Sequence, residues 1–178
     1  MREGESSRFR TIFFSIIFVA VLVAVDQWTK HLAVLYLKHA EPHVLIDGVL
    51  EFHYLENRGA AFSMLQGQQV FFYVLTAVFL AAALFVLFRL PRVRRYLPVR
   101  ICLLILVSGA VGNLIDRILQ QYVVDFIYFS IIDFPVFNVA DMYVTLSVIA
   151  LALLVIFRYK DSDFAFLKRH SGGTKTEE

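Results

Sequence analysis

Apolar residues in this chain come in long unbroken runs, not in the two-residue or 3.6-residue rhythms of half-buried elements. Four runs are long enough to cross a hydrocarbon layer as helices, a passage that takes about 20 residues. They extend from Thr11 to about Trp28, from about Val70 to Phe88, from about Val99 to Ile118, and from about Val139 to Phe157. Between the first and second runs the rhythm changes. Val49, Glu51 and His53 alternate with Leu50, Phe52 and Tyr54, and Asp47-Gly48 parts two apolar pairs in the manner of a hairpin turn. The pattern predicts an all-α membrane protein of four transmembrane helices, with a small β-region over about 43–65 resting on one membrane surface. Residues 1–178 are read as a single integral-membrane unit, with a polar tail, 161–178, expected to be disordered. The first run follows a charged start, as in a signal peptide, but no small-x-small cleavage site follows it, so it is read as a permanent helix.

Composition agrees. Hydrophobic residues make up 59% and charged residues 18%, against roughly 45–50% and 25% in soluble domains, and a chain of this length has no core large enough to hide them. Cys102 is the lone cysteine, which excludes an intrachain disulfide. The net charge is only +2, but its distribution sets an orientation. Arg2, Arg8 and Arg10 precede the first run, and Arg89, Arg92, Arg94, Arg95 and Arg100 fall between the second and third. Arg158, Lys160, Lys168, Arg169 and Lys175 follow the fourth. The link from Gln120 to Phe137 has no lysine or arginine, and the link from about His31 to Gln69 has only Lys38 and Arg58, offset by Glu41, Asp47, Glu51 and Glu56. Both termini and the arginine loop are therefore expected in the cytoplasm and the other two links outside. Anionic lipid and orientation account for the arginine loop better than nucleic acid does.

With that orientation, the polar residues of the spans fall at one depth. Asp26, Gln27, Thr29 and Lys30 are expected at the outer end of the first span, Asn113, Asp116 and Arg117 in the outer half of the third, and Asn138 and Asp141 at the outer start of the fourth, with Asp125 just beyond the third. Ionisable groups at such positions face a cavity or each other. Gly109, Asn113 and Arg117 recur every four residues and share a helix face, on which Gly109 admits a neighbouring backbone. Each polar group also has a structural reading. Asp26 and Lys30, four apart, can neutralise one another. Asn138 can cap the fourth helix with Asp141 at its third position, and Asp125 can be a solvated loop acid. Taken together, two carboxylates held close share a proton, and such a pair can activate water and protonate a leaving amine. No metal or cofactor is called for. His39 and His43 are separated by Pro42, which disfavours one continuous helix, and His31, His53 and His170 form no motif. Ser108 reads as a packing residue, because no histidine or lysine is expected within a span to activate it, and Cys102 reads as a buried small hydrophobe. Two readings from other classes are a proton-coupled carrier, against which no polar path continues into the cytoplasmic halves, and a non-catalytic subunit using polar groups as helix glue.

Five short pieces, in order, carry a resemblance: "DQWTK" at 26–30, "ENRGAAFSML" at 56–65, "GAVGNLIDR" at 109–117, "VVDFI" at 123–127 and "FNVAD" at 137–141. The chain resembles the lipoprotein signal peptidases (signal peptidase II). The resemblance implies four transmembrane helices with an extracytoplasmic β-cradle, in the bacterial inner membrane. It implies an intramembrane aspartic endopeptidase that removes signal peptides from prolipoproteins by cutting before the diacylglyceryl-modified cysteine. Carried over by motif, Asp125 and Asp141 are the expected catalytic pair, and Asn57, Asn113, Arg117 and Asn138 are expected to line the site or hold substrate. Asp26 and Gly109 are expected to be structural. The expected partners are lipid-modified signal peptides and membrane lipid, and a monomer is the expected state. Asp133 matches no family aspartate and is expected to be a solvated loop or turn acid, while Phe126, Phe129 and Phe134 are expected to shield the site from bulk water.

Overall fold

The computed structural model describes residues 3–59 and 68–167. In chain order its main elements are α1 (Glu3–Leu37), β1 (His43–Ile46), β2 (Leu50–Asn57), α2 (Gln69–Arg89), α3 (Leu97–Gln120), β3 (Val123–Tyr128) and α4 (Val139–Phe157). All four helices are long and apolar enough to span a membrane. α3 is the central helix, packed on α1, α2 and most extensively on α4. The outward faces of the others are apolar, with Phe9, Val21, Val70, Leu146 and Phe157 all exposed, as suits lipid as solvent.

α1 departs most from the sequence expectation. It does not end near Trp28 but continues to Leu37, so Asp26 and Lys30 lie inside a helix, not at its end. From His31 to Leu37 there is no proline or glycine, and four of the seven residues, Leu32, Ala33, Leu35 and Leu37, are good helix formers. At 35 residues α1 is roughly 50 Å long, well beyond the roughly 30 Å of a hydrocarbon core. Its last turns project and support the sheet: Ala33, Val34 and Leu37 pack against Val124 and Phe126.

The sheet is antiparallel, in the order β1-β2-β3. The Asp47-Gly48 turn forms as expected. Gly48 has φ +66°, a conformation open to glycine, and Val49 N–H donates to the Ile46 carbonyl at 3.0 Å. The part of the expected β-region from 60 to 65 lies outside the described residues. β3, in contrast, occupies a stretch read from sequence only as a loop. It pairs with β2 with Leu55 opposite Asp125 and Asn57 opposite Val123, and bridges on its other side through Ile127 and Phe137.

At the opposite end of the bundle Leu90, Val99, Leu103, Leu106 and Tyr159 form a second core. The expectation of a disordered tail is corrected here for its first part: Asp161–Leu167 is a 3-10 helix. Arg95 holds Asp163 with two bonds, Nε to Oδ1 at 2.9 Å and Nη2 to Oδ2 at 2.6 Å, Tyr96 hydroxyl donates to the Asp163 carbonyl, and Phe164 and Phe166 pack against the core. These contacts offset the entropy that a short polar segment loses on ordering. Residues 168–178 lie outside the described residues. Cys102, expected buried, is half-buried.

Candidate active site

The site forms where α3, the start of α4 and the β2–β3 pair meet. Alternation along β3 points Val124 and Phe126 toward α1 and puts Asp125 on the other face. Asp125 is therefore no solvated loop acid: it is 2% exposed. Asn57 lies two residues beyond Leu55, the cross-strand partner of Asp125, and so shares its face. Its Nδ2 donates to Asp125 Oδ2 at 2.8 Å. The other oxygen, Oδ1, accepts from Asn138 Nδ2 at 2.6 Å. Burial, then the nearby Asp141 carboxylate, push the Asp125 carboxyl up to about 7, against the opposing pull of Asn57, Asn138 and Lys30.

Asn138 joins the two acids. It caps α4 as expected: its Oδ1 accepts from Asp141 N–H at 3.0 Å, and its own N–H donates to Asp141 Oδ2 at 3.1 Å, a reciprocal capping box. Asp141 Oδ1 accepts from Asn113 Nδ2 at 2.7 Å. One asparagine thus touches Asp125 through its side chain and fixes Asp141 through its backbone. Both acids line a cavity of about 700 Å³ that is otherwise mainly apolar, with Phe72, Phe129, Phe134 and Phe137 in its wall. Arg117 lines it too. Its guanidinium sits over the Phe72 ring at 4.8 Å, and Nη1 and Nη2 reach the carbonyls of Asn113 and Gly59 at 3.4 and 3.5 Å. Of the three phenylalanines expected to shield the site, Phe129 and Phe134 face the cavity. Phe126 does not, being buried under the sheet against Phe52.

Behind this surface lies a buried ionic cluster. Lys30 Nζ is 3.0 Å from both Asp26 Oδ2 and Asp116 Oδ2 and donates to Asn113 Oδ1 at 2.8 Å. Asp26 Oδ1 accepts from Ala140 N–H, in the first turn of α4, at 2.9 Å. Gln27 Nε2 donates to Asp116 Oδ1 at 2.8 Å, and Asp116 Oδ2 accepts from Val124 N–H at 3.2 Å. The Asp26–Lys30 pair does not simply neutralise itself: Asp116 is a second carboxylate on the same ammonium, and N–H donors hold both acids, Ala140 at the α4 N-terminus on Asp26, and Gln27 and Val124 on Asp116. Two glycines make the approach possible. A Cβ on Gly109 would meet the Ala140 carbonyl oxygen and Val144, and one on Gly112 would meet the Asp26 carboxylate.

Sequence reasoning did not assign roles to Gly112 or Asp116. Their i, i+4 spacing on α3, beside the Gly109–Asn113–Arg117 face, is the signal that was there to find. Asp133 stands apart, exposed and at φ 48°, with Tyr128 hydroxyl donating to its Oδ1 at 2.8 Å. Ser108 donates to the Leu104 carbonyl within its own helix and is fully buried. Among the described residues no group of three or more His, Cys, Asp or Glu is placed to hold a metal ion.

Known proteins are similar to this chain in sequence and in fold. The sequence model of the family described as Signal peptidase (SPase) II matches residues 18–157. A lipoprotein signal peptidase of Streptococcus thermophilus (strain CNRZ 1066) is 42% identical over 137 residues, 77% of this chain and 88% of the relative. One of Streptococcus pyogenes serotype M5 (strain Manfredo) is 41% identical over 144 residues, 81% and 91% of the two chains. Among solved structures, a bacterial membrane enzyme determined by the in meso method at 2.3 Å superimposes with a TM-score of 0.70 at 33% identity, covering 84% of this chain and 93% of that one. A second, determined at 1.9 Å, does so with a TM-score of 0.70 at 31% identity, covering 83% and 96%. The chain belongs to the signal peptidase II family.

Proposed function

We propose that this protein is an intramembrane aspartic endopeptidase of the bacterial inner membrane that removes signal peptides from prolipoproteins, cutting before the diacylglyceryl-modified cysteine. The observation that carries this reading is the bridging of Asp125 and Asp141 by Asn138 in the wall of one apolar cavity. Family membership supports peptide cleavage, and the relatives' description as lipoprotein signal peptidases supports the substrate class.

The chemistry follows from the surroundings of the two acids. Asp125, with its carboxyl near 7, carries the shared proton. The charged role is assigned to Asp141, whose oxygens accept from Asn113 Nδ2 and the Asn138 N–H at the N-terminus of a helix. Asp141 takes a proton from water as that water attacks the scissile carbonyl carbon, and Asp125 gives its proton to the carbonyl oxygen. The tetrahedral intermediate then collapses: the C–N bond breaks, the proton on Asp141 passes to the leaving amine, and one hydroxyl of the intermediate returns its proton to Asp125 as the new carbonyl forms. Asn57 and Asn138 hold Asp125, Asn113 holds Asp141, and Arg117, stacked on Phe72 and with long hydrogen bonds to main-chain carbonyls among the described residues, is available for a substrate carbonyl. The apolar wall receives the signal-peptide backbone and the lipid, which keeps bulk water off the reacting bond.

The capping box favours one other reading, in which Asn138 and Asp141 serve only to begin α4 in a non-catalytic membrane subunit. Asp125→Asn and Asp141→Asn separate the two. Both amides preserve an acceptor and the fold but cannot share the proton. Cleavage of a lipidated precursor peptide by each purified variant is expected to fall by at least about 10³-fold, with unfolding temperature near that of wild type. Retained turnover in either variant favours the subunit reading.

A further inference from the structure

A second cavity, of about 470 Å³, lies on the other side of α3 from the acids. α1 and α2 both pack on α3 and scarcely on each other, which leaves a cleft between them floored by Leu104, Val107 and Val111. Its polarity is graded. Thr11, Ser15, Arg92 and Arg100 line one end, and every other lining residue is apolar. From Thr11 to Val23 along α1 the lining runs about 18 Å into the span. The cleft opens sideways, with Ile12 and Ile16 exposed.

The arginines that follow α2 are not alike. Arg95 is neutralised by Asp163. Arg92 and Arg100 have no carboxylate partner among the described residues. Arg100 Nη2 is held at the mouth by the carbonyls of Leu90 and Pro91, at 3.3 and 3.2 Å, where α2 ends. Two uncompensated cations over a groove of acyl-chain shape have the charge and polarity of a phospholipid site.

We infer that this cleft binds an anionic phospholipid, with one acyl chain lying between α1 and α2 and the phosphate between Arg92 and Arg100. A zwitterionic headgroup would bring its own ammonium against the arginines, so a net negative lipid is selected. The signal peptide is a poor occupant: its basic n-region would meet the same two cations. The inference does not depend on the chemistry proposed for Asp125 and Asp141.

The test is native mass spectrometry of the full-length protein in detergent, with phosphatidylglycerol or phosphatidylcholine of identical chains. Wild type is expected to retain phosphatidylglycerol roughly 10–30-fold better, as two arginines near a phosphate imply. The double variant Arg92→Gln, Arg100→Gln is expected to lose that preference. Ala20→Phe, which places a ring in the cleft and leaves the arginines intact, is expected to lose retention of both lipids, and it decides the matter if the arginine variant fails to fold. Equal retention of the two lipids by wild type would overturn the inference. So would a preference that survives in the arginine variant, undiminished retention in Ala20→Phe, or displacement of the bound lipid by a basic signal-peptide helix.

Discussion

Asp125 and Asp133 are eight residues apart and have opposite fates. Asp125 is sealed on a strand and its carboxyl is raised from an ordinary 3.8 to about 7. Between those values the folded protein keeps a proton that the unfolded chain has lost. The Asp125 contribution to stability therefore declines as pH rises from about 4 to about 7 and is constant above. Asp125→Asn should remove this slope from the unfolding temperature measured across the window; an unchanged slope would mean that other groups set it. The same titration shapes the activity. The proton on Asp125 is lost above pH about 7, so initial cleavage rates should show an alkaline limb with its midpoint near 7, and a profile flat from about pH 6 to about pH 9 would contradict the assignment. Because the acids interact, the limb belongs to the pair. Asp133 is exposed at a left-handed turn position that asparagine also accepts. Asp133→Asn should keep the cleavage rate within roughly 2–3-fold of wild type, and a variant as inactive as Asp141→Asn would place this acid in the site.

α3 and the first turn of α4 are set by elements rather than by single contacts. Gly109 lets α4 come close, Gly112 admits the Asp26 carboxylate, and Asp26 then accepts from the Ala140 N–H. Lys30 is the only cation among the described residues that touches both Asp26 and Asp116, and it also fixes Asn113, which holds Asp141. Removing it strands buried anions. Lys30→Met should cost about 3–5 kcal/mol in unfolding measured in detergent. Adding Asp116→Asn should recover part of that loss, because one of the stranded charges goes with it. If the double variant is no more stable than Lys30→Met alone, the cluster is not held by this charge balance.

For the whole molecule, the arginine distribution argues for an orientation with both termini inside and the site at the outer surface. A diacylglyceryl chain stays in the bilayer, so a bond next to it lies at an interface, where the cavity and sheet would meet it. In a Cys102→Ser background, Asp47→Cys at the hairpin turn should react with a membrane-impermeant maleimide in intact cells, and Val93→Cys in the arginine loop only after permeabilisation. The reverse pattern would invert the protein and put the acids on the cytoplasmic side.

Several features were decided locally and so were legible in the sequence. The apolar runs around Val70–Phe88 and Val139–Phe157 are spans because nothing but lipid or a large core can take up so much apolar surface. Asp47-Gly48 turns because glycine reaches positive φ, and Asn138 caps α4 because its side chain meets an N–H three residues on. Of the residues that the five motifs named, Asn57, Arg117, Asp125 and Asp141 line the cavity, while Asn113 and Asn138 lie behind it and hold the two acids. What the sequence left open depended on distant partners. β3 has apolar residues on both faces, so its alternation is masked, and it is a strand because β2, some seventy residues earlier, supplies its hydrogen bonds. α1 passes Trp28 because Lys30 sits between Asp26 and Asp116 across two helices, with N–H donors on both acids, which lets charge lie inside a span. Asp161–Leu167 is ordered because Arg95 and Tyr96 receive it. Asp125 reads as a loop acid until the sheet and Asn138 close over it. Burial, and with it the raised carboxyl, belongs to the assembled structure, since a carboxylate loses its water only when the elements around it pack.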